Sequence, residues 1–184
     1  MLELNFDPFP TITTERLVLR RMSENDANEM FFLRSDPQVM KYIDREPARS
    51  VDDAKAFIQM INTLLDKNES INWAITAKEY PWLIGNICLW NVQKEHYRAE
   101  LGYVLHPTWQ GKGIMHEALK AVLDYGFNAM KLHSVEANIN PDNAASQKVL
   151  EKVGFVREAY FRENYYCKGK FLDSAIYSLI TPVK

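Results

Sequence analysis

Residues 104–119, Val104-Leu105-His106-Pro107-Thr108-Trp109-Gln110-Gly111-Lys112-Gly113-Ile114-Met115-His116-Glu117-Ala118-Leu119, run from an apolar strand through a proline turn into a Gly-x-Gly loop that opens an amphipathic helix. Gly111 and Gly113 carry no Cβ, so the backbone can curl until several N–H groups point one way. The helix that follows adds the positive end of its dipole where an anion would rest. The stretch therefore reads as a pyrophosphate cradle formed by Gln110, Gly111, Lys112, Gly113, Ile114 and Met115, with the Lys112 ammonium as a neighbour to the same anion. Two common nucleotide loops do not fit. G-x-x-x-x-G-K-[ST] is absent, and G-x-G-x-x-G would need glycine at His116.

Working outward, 184 residues with 47% hydrophobic content are enough for one compact domain, 1–184, with a sizeable core. Lys and Arg total 22 against 24 acidic residues, which gives no broad basic surface for nucleic acid or an anionic membrane. Cys88 and Cys167 lie far apart with no C-x-x-C pair, as expected of reduced thiols in a cytoplasmic chain. The four histidines form no H-E-x-x-H or i, i+4 pair, so no metal is expected. No stretch approaches the roughly 18 apolar residues of a membrane span.

The alternation in Arg16-Leu17-Val18-Leu19-Arg20-Arg21 predicts a half-buried first strand. Ser23 with Asp26, and Ser50 with Asp53, form two N-terminal capping patterns. The first stands ahead of Met30, Phe31, Phe32 and Leu33. The second opens a longer helix that ends near Asn68. Strands follow at 72–76, 82–90 and 99–105, separated by turns around Glu79-Tyr80-Pro81 and Lys94-Glu95-His96. A helix over 113–130, a strand over 134–139, a helix over 143–152 stopped by Gly154, and a hairpin of 155–166 with 170–181 complete the order. That order implies an α/β (α+β) fold, a mixed sheet with helices on both faces.

The loop and four further separated segments, the four in sequence order, then match one family. Gln110 and Gly113, with Met115 out of pattern, resemble the Q/R-x-x-G-x-G/A loop of the GNAT N-acetyltransferase superfamily. Thr14-Glu15-Arg16-Leu17-Val18-Leu19-Arg20 resembles the opening of its Rim-type branch, named for enzymes that acetylate ribosomal-protein N-termini. Glu100-Leu101-Gly102-Tyr103 is similar to its E-x-G-Y strand. Residues 140–146 and 150–155 are similar to its N-x-x-N-x-x-S…L-E-K-x-G-F helix, and Gly169 through Asp173 to its closing strand. The resemblance implies a mostly antiparallel, twisted sheet of about six or seven strands with a V-shaped opening between the fourth and fifth. It also implies acetyl-CoA as cosubstrate, its pantetheine arm lying in that opening.

The implied chemistry is attack of a primary amine on the thioester carbonyl, without a covalent enzyme intermediate. The amine must first lose a proton, and a carboxylate raised in pKa by apolar surroundings is suited to accept it. Glu100 is the first candidate base. Its ordinary alternative is a surface carboxylate paired with Arg98. Glu136, on the neighbouring strand, is the rival, and a water chain is the third route. Where some relatives carry a base on that strand, this chain has Asn138. Where the strand splays from its neighbour, the N–H groups at Tyr103, Val104 and Leu105 are expected to stabilise the developing oxyanion. Asn143 is expected along the CoA arm, and Ser146 at the sulfur, where it stabilises the departing thiolate; helix capping and surface solvation are the ordinary alternatives for both. Leu150 stands where some relatives place a tyrosine acid.

The acceptor is expected between the early helices (Phe31, Phe32, Met40, Tyr42) and the last hairpin (Tyr160, Tyr165, Tyr166). A protein N-terminus, ribosomal or other, is the first expectation. An amino acid, polyamine or aminoglycoside is the alternative. A CoA-binding module without turnover and a structural domain are readings from other classes. A monomer and a homodimer are both compatible with the sequence.

Overall fold

The computed structural model describes residues 1–181. Its elements in chain order are β1 (Ile12–Thr13), β2 (Leu17–Arg21), α1 (Ala27–Ser35), α2 (Val51–Asp66), β3 (Ile71–Ala77), β4 (Tyr80–Gln93), β5 (Arg98–Leu105), α3 (Ile114–Asn128), β6 (Ser134–Ile139), α4 (Ala144–Lys152), β7 (Val156–Cys167) and β8 (Lys170–Ile180). The strands form one sheet of eight in the order β1-β2-β3-β4-β5-β6-β8-β7. The strand beyond the expected seven is β1, two residues long and too short to leave a periodic signal.

Local chemistry explains most boundaries. Asp26 accepts the Ser23 N–H at 2.8 Å and the Arg20 guanidinium at 2.6 Å, so the lead-in to α1 is fastened to β2. Its first turn is a 3₁₀ turn, Glu24–Asp26. Ser50 Oγ accepts the Asp53 N–H, which caps α2. Gly113, at φ +75°, caps α3, which begins one residue later than the pattern implied. The turn expected at Glu79-Tyr80-Pro81 is tighter than that, because β4 already begins at Tyr80. Pro81 enters it next to a register shift in the β3–β4 ladder, where its missing N–H is tolerated.

Alternation along the strands divides the core in two. Trp73, Ile75, Ile87, Leu89 and Leu101 pack with Ile114, Leu119 and Val122 of α3 on one face. Ala74, Leu83 and Val104 pack with Met30 and Leu33 of α1 and with Ile58 and Ile61 of α2 on the other. These are the helices on both faces implied by the element order.

The feature that positions the site is a fork. β5 and β6 form the one parallel pair among the described residues, and they are joined only at Arg98↔Ser134, Ala99↔Val135 and Glu100↔Glu136. Beyond Glu100, β5 stays on β4 as far as Leu105↔Gly85, while β6 stays on β8 as far as Ile139↔Ala175. Each strand keeps its outer neighbour and loses its inner one, so the two diverge into the V expected between them. Gly85 lets β4 approach at the open end, since a Cβ there would lie 2.5 Å from the Val104 carbonyl oxygen.

Candidate active site

The cradle sits at the end of β5 on the α3 side. Gly111 and Gly113 take φ of +73° and +75°, a region open to glycine and strained for other residues. The first N–H groups of α3 have no intrahelical acceptor and face the loop. Gln110 does not project its amide outward; Nε2 donates to the Leu105 carbonyl at 3.0 Å and ties the loop to the strand. The Lys112 ammonium stands over the Trp109 ring, 5.5 Å from its centroid. Met115, the out-of-pattern residue, is buried in the core on the α3 face, so its side chain does not crowd the loop.

Sequence reasoning missed one member of this corner. Arg16 Nη1 donates to the Lys112 carbonyl at 2.9 Å, and Arg16 Nε donates to Glu117 Oε2 at 2.6 Å. The other Glu117 oxygen accepts from Thr14 Oγ1 and from the Arg16 N–H. Burial alone would push the Glu117 carboxyl up, but these hydrogen bonds outweigh it and hold the group below the usual carboxylate range. A fixed guanidinium therefore stands beside the loop. The alternation of Arg16 with Leu17 carried no hint of it.

Inside the fork, strand register decides which amides are free. His106 N–H donates to the Ile84 carbonyl, so by the two-residue repeat of an antiparallel ladder Val104 and Gly102 also turn their N–H groups toward β4. Tyr103 and Leu105 turn theirs away from β4, into the opening. The Val104 amide, expected with the other two, is thus spent on the sheet.

The Tyr103 side chain crosses to α4. Its hydroxyl lies 2.5 Å from Ser146 Oγ, and burial pushes the phenol up to about 12. Ser146 is buried, and its N–H donates to Asn143 Oδ1 at 3.1 Å, which caps α4. Leu150 is fully buried.

On the α1–α2 face the fork opens into a cavity of about 700 Å³ whose lining includes Glu100, Cys88, Trp90, Asn138, Tyr103 and Ser146. Glu100 is half-buried. Burial pushes its carboxyl above the ordinary range, with Glu136 adding to the effect, while a long contact from Asn91 Nδ2 at 3.5 Å opposes it. Arg98 is not its partner; that guanidinium pairs with Glu136. Glu136 is therefore ion-paired beside the fork, and Glu100 has no ion-pair partner of its own, although Arg98 opposes its upward shift at longer range. Cys88 lies behind Gly102, whose missing side chain leaves room for the sulfur, and burial pushes the thiol up to about 12.

Of the aromatic and apolar frame expected for the acceptor, Met40, Tyr42 and Tyr165 line this cavity. Phe31 packs in the α1–α2 core, Phe32 stacks on His106, Tyr160 donates to Asp173 and Tyr166 packs on Phe171. Arg34 and Arg45 stand in the wall as well, and the sequence reading did not single them out. Among the described residues no cluster of His, Cys, Asp and Glu has the arrangement of a metal site, and no helix is long and apolar enough to cross a membrane.

Residues 16–156 match the family profile described as an acetyltransferase (GNAT) domain. An uncharacterized N-acetyltransferase, p20, of Bacillus licheniformis is 36% identical over 170 residues, covering 92% of this chain and 96% of that protein. The ribosomal protein uS5-alanine N-acetyltransferase of Escherichia coli is 29% identical, covering 95% and 93%. The spermidine N(1)-acetyltransferase of Vibrio cholerae is 25% identical, covering 86% and 89%. A crystal structure of a GNAT-family acetyltransferase from Bacillus anthracis superposes with a TM-score of 0.82 at 31% identity, covering 93% of this chain and 98% of that one. With its loop, fork and cavity in the arrangement described, the chain belongs to the GNAT family, among relatives that include Rim-type ribosomal-protein acetyltransferases, and is an acetyl-CoA-dependent N-acetyltransferase.

Proposed function

We propose that the chain acetylates the α-amine of a protein or peptide N-terminus by direct attack on acetyl-CoA. The observation that carries this reading is the position of Glu100 at the last rung before β5 and β6 part. A thioester threaded through the opening from the cradle side enters the cavity beside a carboxylate that has no ion-pair partner of its own. An N-terminal amine has an ordinary pKa near ~8 and is mostly protonated at neutral pH. Glu100 accepts its proton, directly or through one water, and its upward shift makes it the stronger base for that transfer. Glu136, held by Arg98, does not compete.

The Tyr103 and Leu105 amides, aimed into the opening, stabilise the oxyanion. The Tyr103–Ser146 hydroxyl pair meets the departing sulfur. A phenol at about 12 is a weaker acid than a thiol near ~8.5, so the pair gives that sulfur a hydrogen bond and solvent supplies the proton. Asn143 offers its amide N–H₂ to the pantetheine, its Oδ1 being occupied by Ser146. Gly111, Lys112, Gly113, Ile114 and Met115 hold the diphosphate by their amides, and Arg16 adds a fixed positive charge. A two-step route through Cys88 is disfavoured because a thiol held near 12 carries almost no thiolate at neutral pH.

The spermidine-acetylating relative supports polyamines as the second acceptor class. A panel of peptides, amino acids and polyamines incubated with acetyl-CoA and read by mass gain decides between them. Acetylated peptide N-termini are expected; untouched peptides beside acetylated spermidine would overturn the first reading.

A further inference from the structure

Two guanidiniums stand unanswered in the wall of the cavity on the α1–α2 face. Arg34, in the last turn of α1, lies over the Phe57 ring of α2 with its Cζ 3.9 Å from the centroid, and its Nε is buried without a hydrogen-bond partner. Arg45 lies on the connection from α1 to α2. Neither joins any of the ion pairs found among the described residues. Two acids lie nearby but pair with neither: Asp44, in the same wall, accepts the Tyr165 hydroxyl, and Asp53, which acts on Arg34 at longer range, accepts the Arg49 N–H at 2.7 Å.

Burial and repulsion from Arg45, opposed in part by the Asp53 carboxylate, pull Arg34 down to about 10, which leaves it charged at neutral pH. Arg45, Cys88 and Glu100 line the same cavity. A half-buried guanidinium such as Arg34, held without an ion pair, gains when an anion arrives.

We infer that the acceptor carries a carboxylate, received by Arg34 and Arg45 while its amine faces Glu100. This deepens the proposed function and rests on its assignment of this cavity to the acceptor. The shared chemistry has two sources, an acidic side chain close to a peptide N-terminus or the carboxylate of a free amino acid. A polyamine would bring further positive charge against Arg34 and Arg45, which the carboxylates of Asp44 and Glu100 in the same cavity only partly offset, and is the poorer fit.

The test compares kcat/KM for peptides that differ only in Asp or Glu against Asn or Gln at the second and third positions, for glutamate against its α-amide, and for spermidine. The acidic member of each pair is expected to lead by about tenfold at low salt, as for a charge-assisted contact, with the lead shrinking as salt rises. Arg45→Gln is expected to bring that ratio toward one, and Arg45→Glu to shift preference to lysine-bearing peptides. Arg45 is exposed, so these variants keep the test decisive even if Arg34→Gln fails to fold. Equal rates on acidic and amide peptides, or a ratio unmoved in Arg45→Glu, would overturn the inference and leave peptide acetylation standing. Transfer to glutamate alone, with the ratio dependent on Arg45, would uphold the inference and overturn the peptide acceptor. A preference for spermidine would overturn both.

Discussion

On the α3 face of the sheet the site is made of main chain: two left-handed glycines, the first amides of a helix, and the unpaired edge of β5. On the α1–α2 face it is made of side chains, with Glu100, Arg34, Arg45 and Tyr165 reaching one cavity from a strand, a helix, a connection and a hairpin. Main-chain recognition depends on backbone shape and tolerates changes in neighbouring residues. Side-chain recognition changes with each substitution. With the donor on the first face and the acceptor on the second, as proposed, damage on the two faces should appear in different kinetic constants.

The largest effect expected is on the side-chain face. Glu100→Gln lowers kcat at saturating acetyl-CoA by about 100-fold, the lower range for removing a general base, with the KM for acetyl-CoA within about twofold. In the wild type, kcat/KM rises with pH through the Glu100 pKa, which lies above the ordinary carboxylate value, and the variant lacks that limb. An unchanged rate would remove Glu100 from the mechanism and blur the contrast between the faces.

Next is the main-chain face. Gly113→Val places a β-branched residue at φ +75° and is expected to raise the KM for acetyl-CoA about tenfold while sparing kcat at saturation. A loss confined to kcat would contradict the division. Tyr103→Phe, at the boundary between the faces, removes one hydrogen bond and is expected to lower kcat about fivefold, measured with an acceptor at saturation. Glu136→Gln is expected to change kcat by less than about twofold, because Arg98 already holds that carboxylate in a partly exposed pair.

The smallest effect is on stability. The Glu100 carboxyl is raised in the folded state, so its stabilising contribution is complete below the unfolded carboxylate pKa of ~4.3 and is lost as pH rises through the folded value. The Tm of Glu100→Gln should therefore match the wild type at the acid end and exceed it slightly at neutral pH. Equal Tm values at neutral pH would mean that Glu100 is better solvated than its burial implies.

The same contrast explains what the sequence disclosed. The shape of the Gly-x-Gly loop was legible because glycine spacing and a helix start are local, and Ser23, Ser50 and Asn143 announce their caps within three residues. The fork entered only through family resemblance. Periodicity places residues on faces but does not report where two strands stop pairing. Arg16 and Glu117 lie 101 positions apart and Tyr103 and Ser146 lie 43 apart, so no short window contains either contact. Nothing in the sequence singled out Arg34 or Arg45. They become conspicuous only once the chain brings them to a shared wall without partners.

The short ladder between β5 and β6 has a further consequence, in the exchange of protons with solvent. The Tyr103 and Leu105 amides have no strand across from them, whereas those of Gly102 and Val104 are held by β4. In deuterated buffer the first two should exchange quickly in the free protein and slow sharply once CoA is added, while their neighbours barely change. Alternate positions along a single strand would then report whether the donor is bound, with no chromophore and no turnover required.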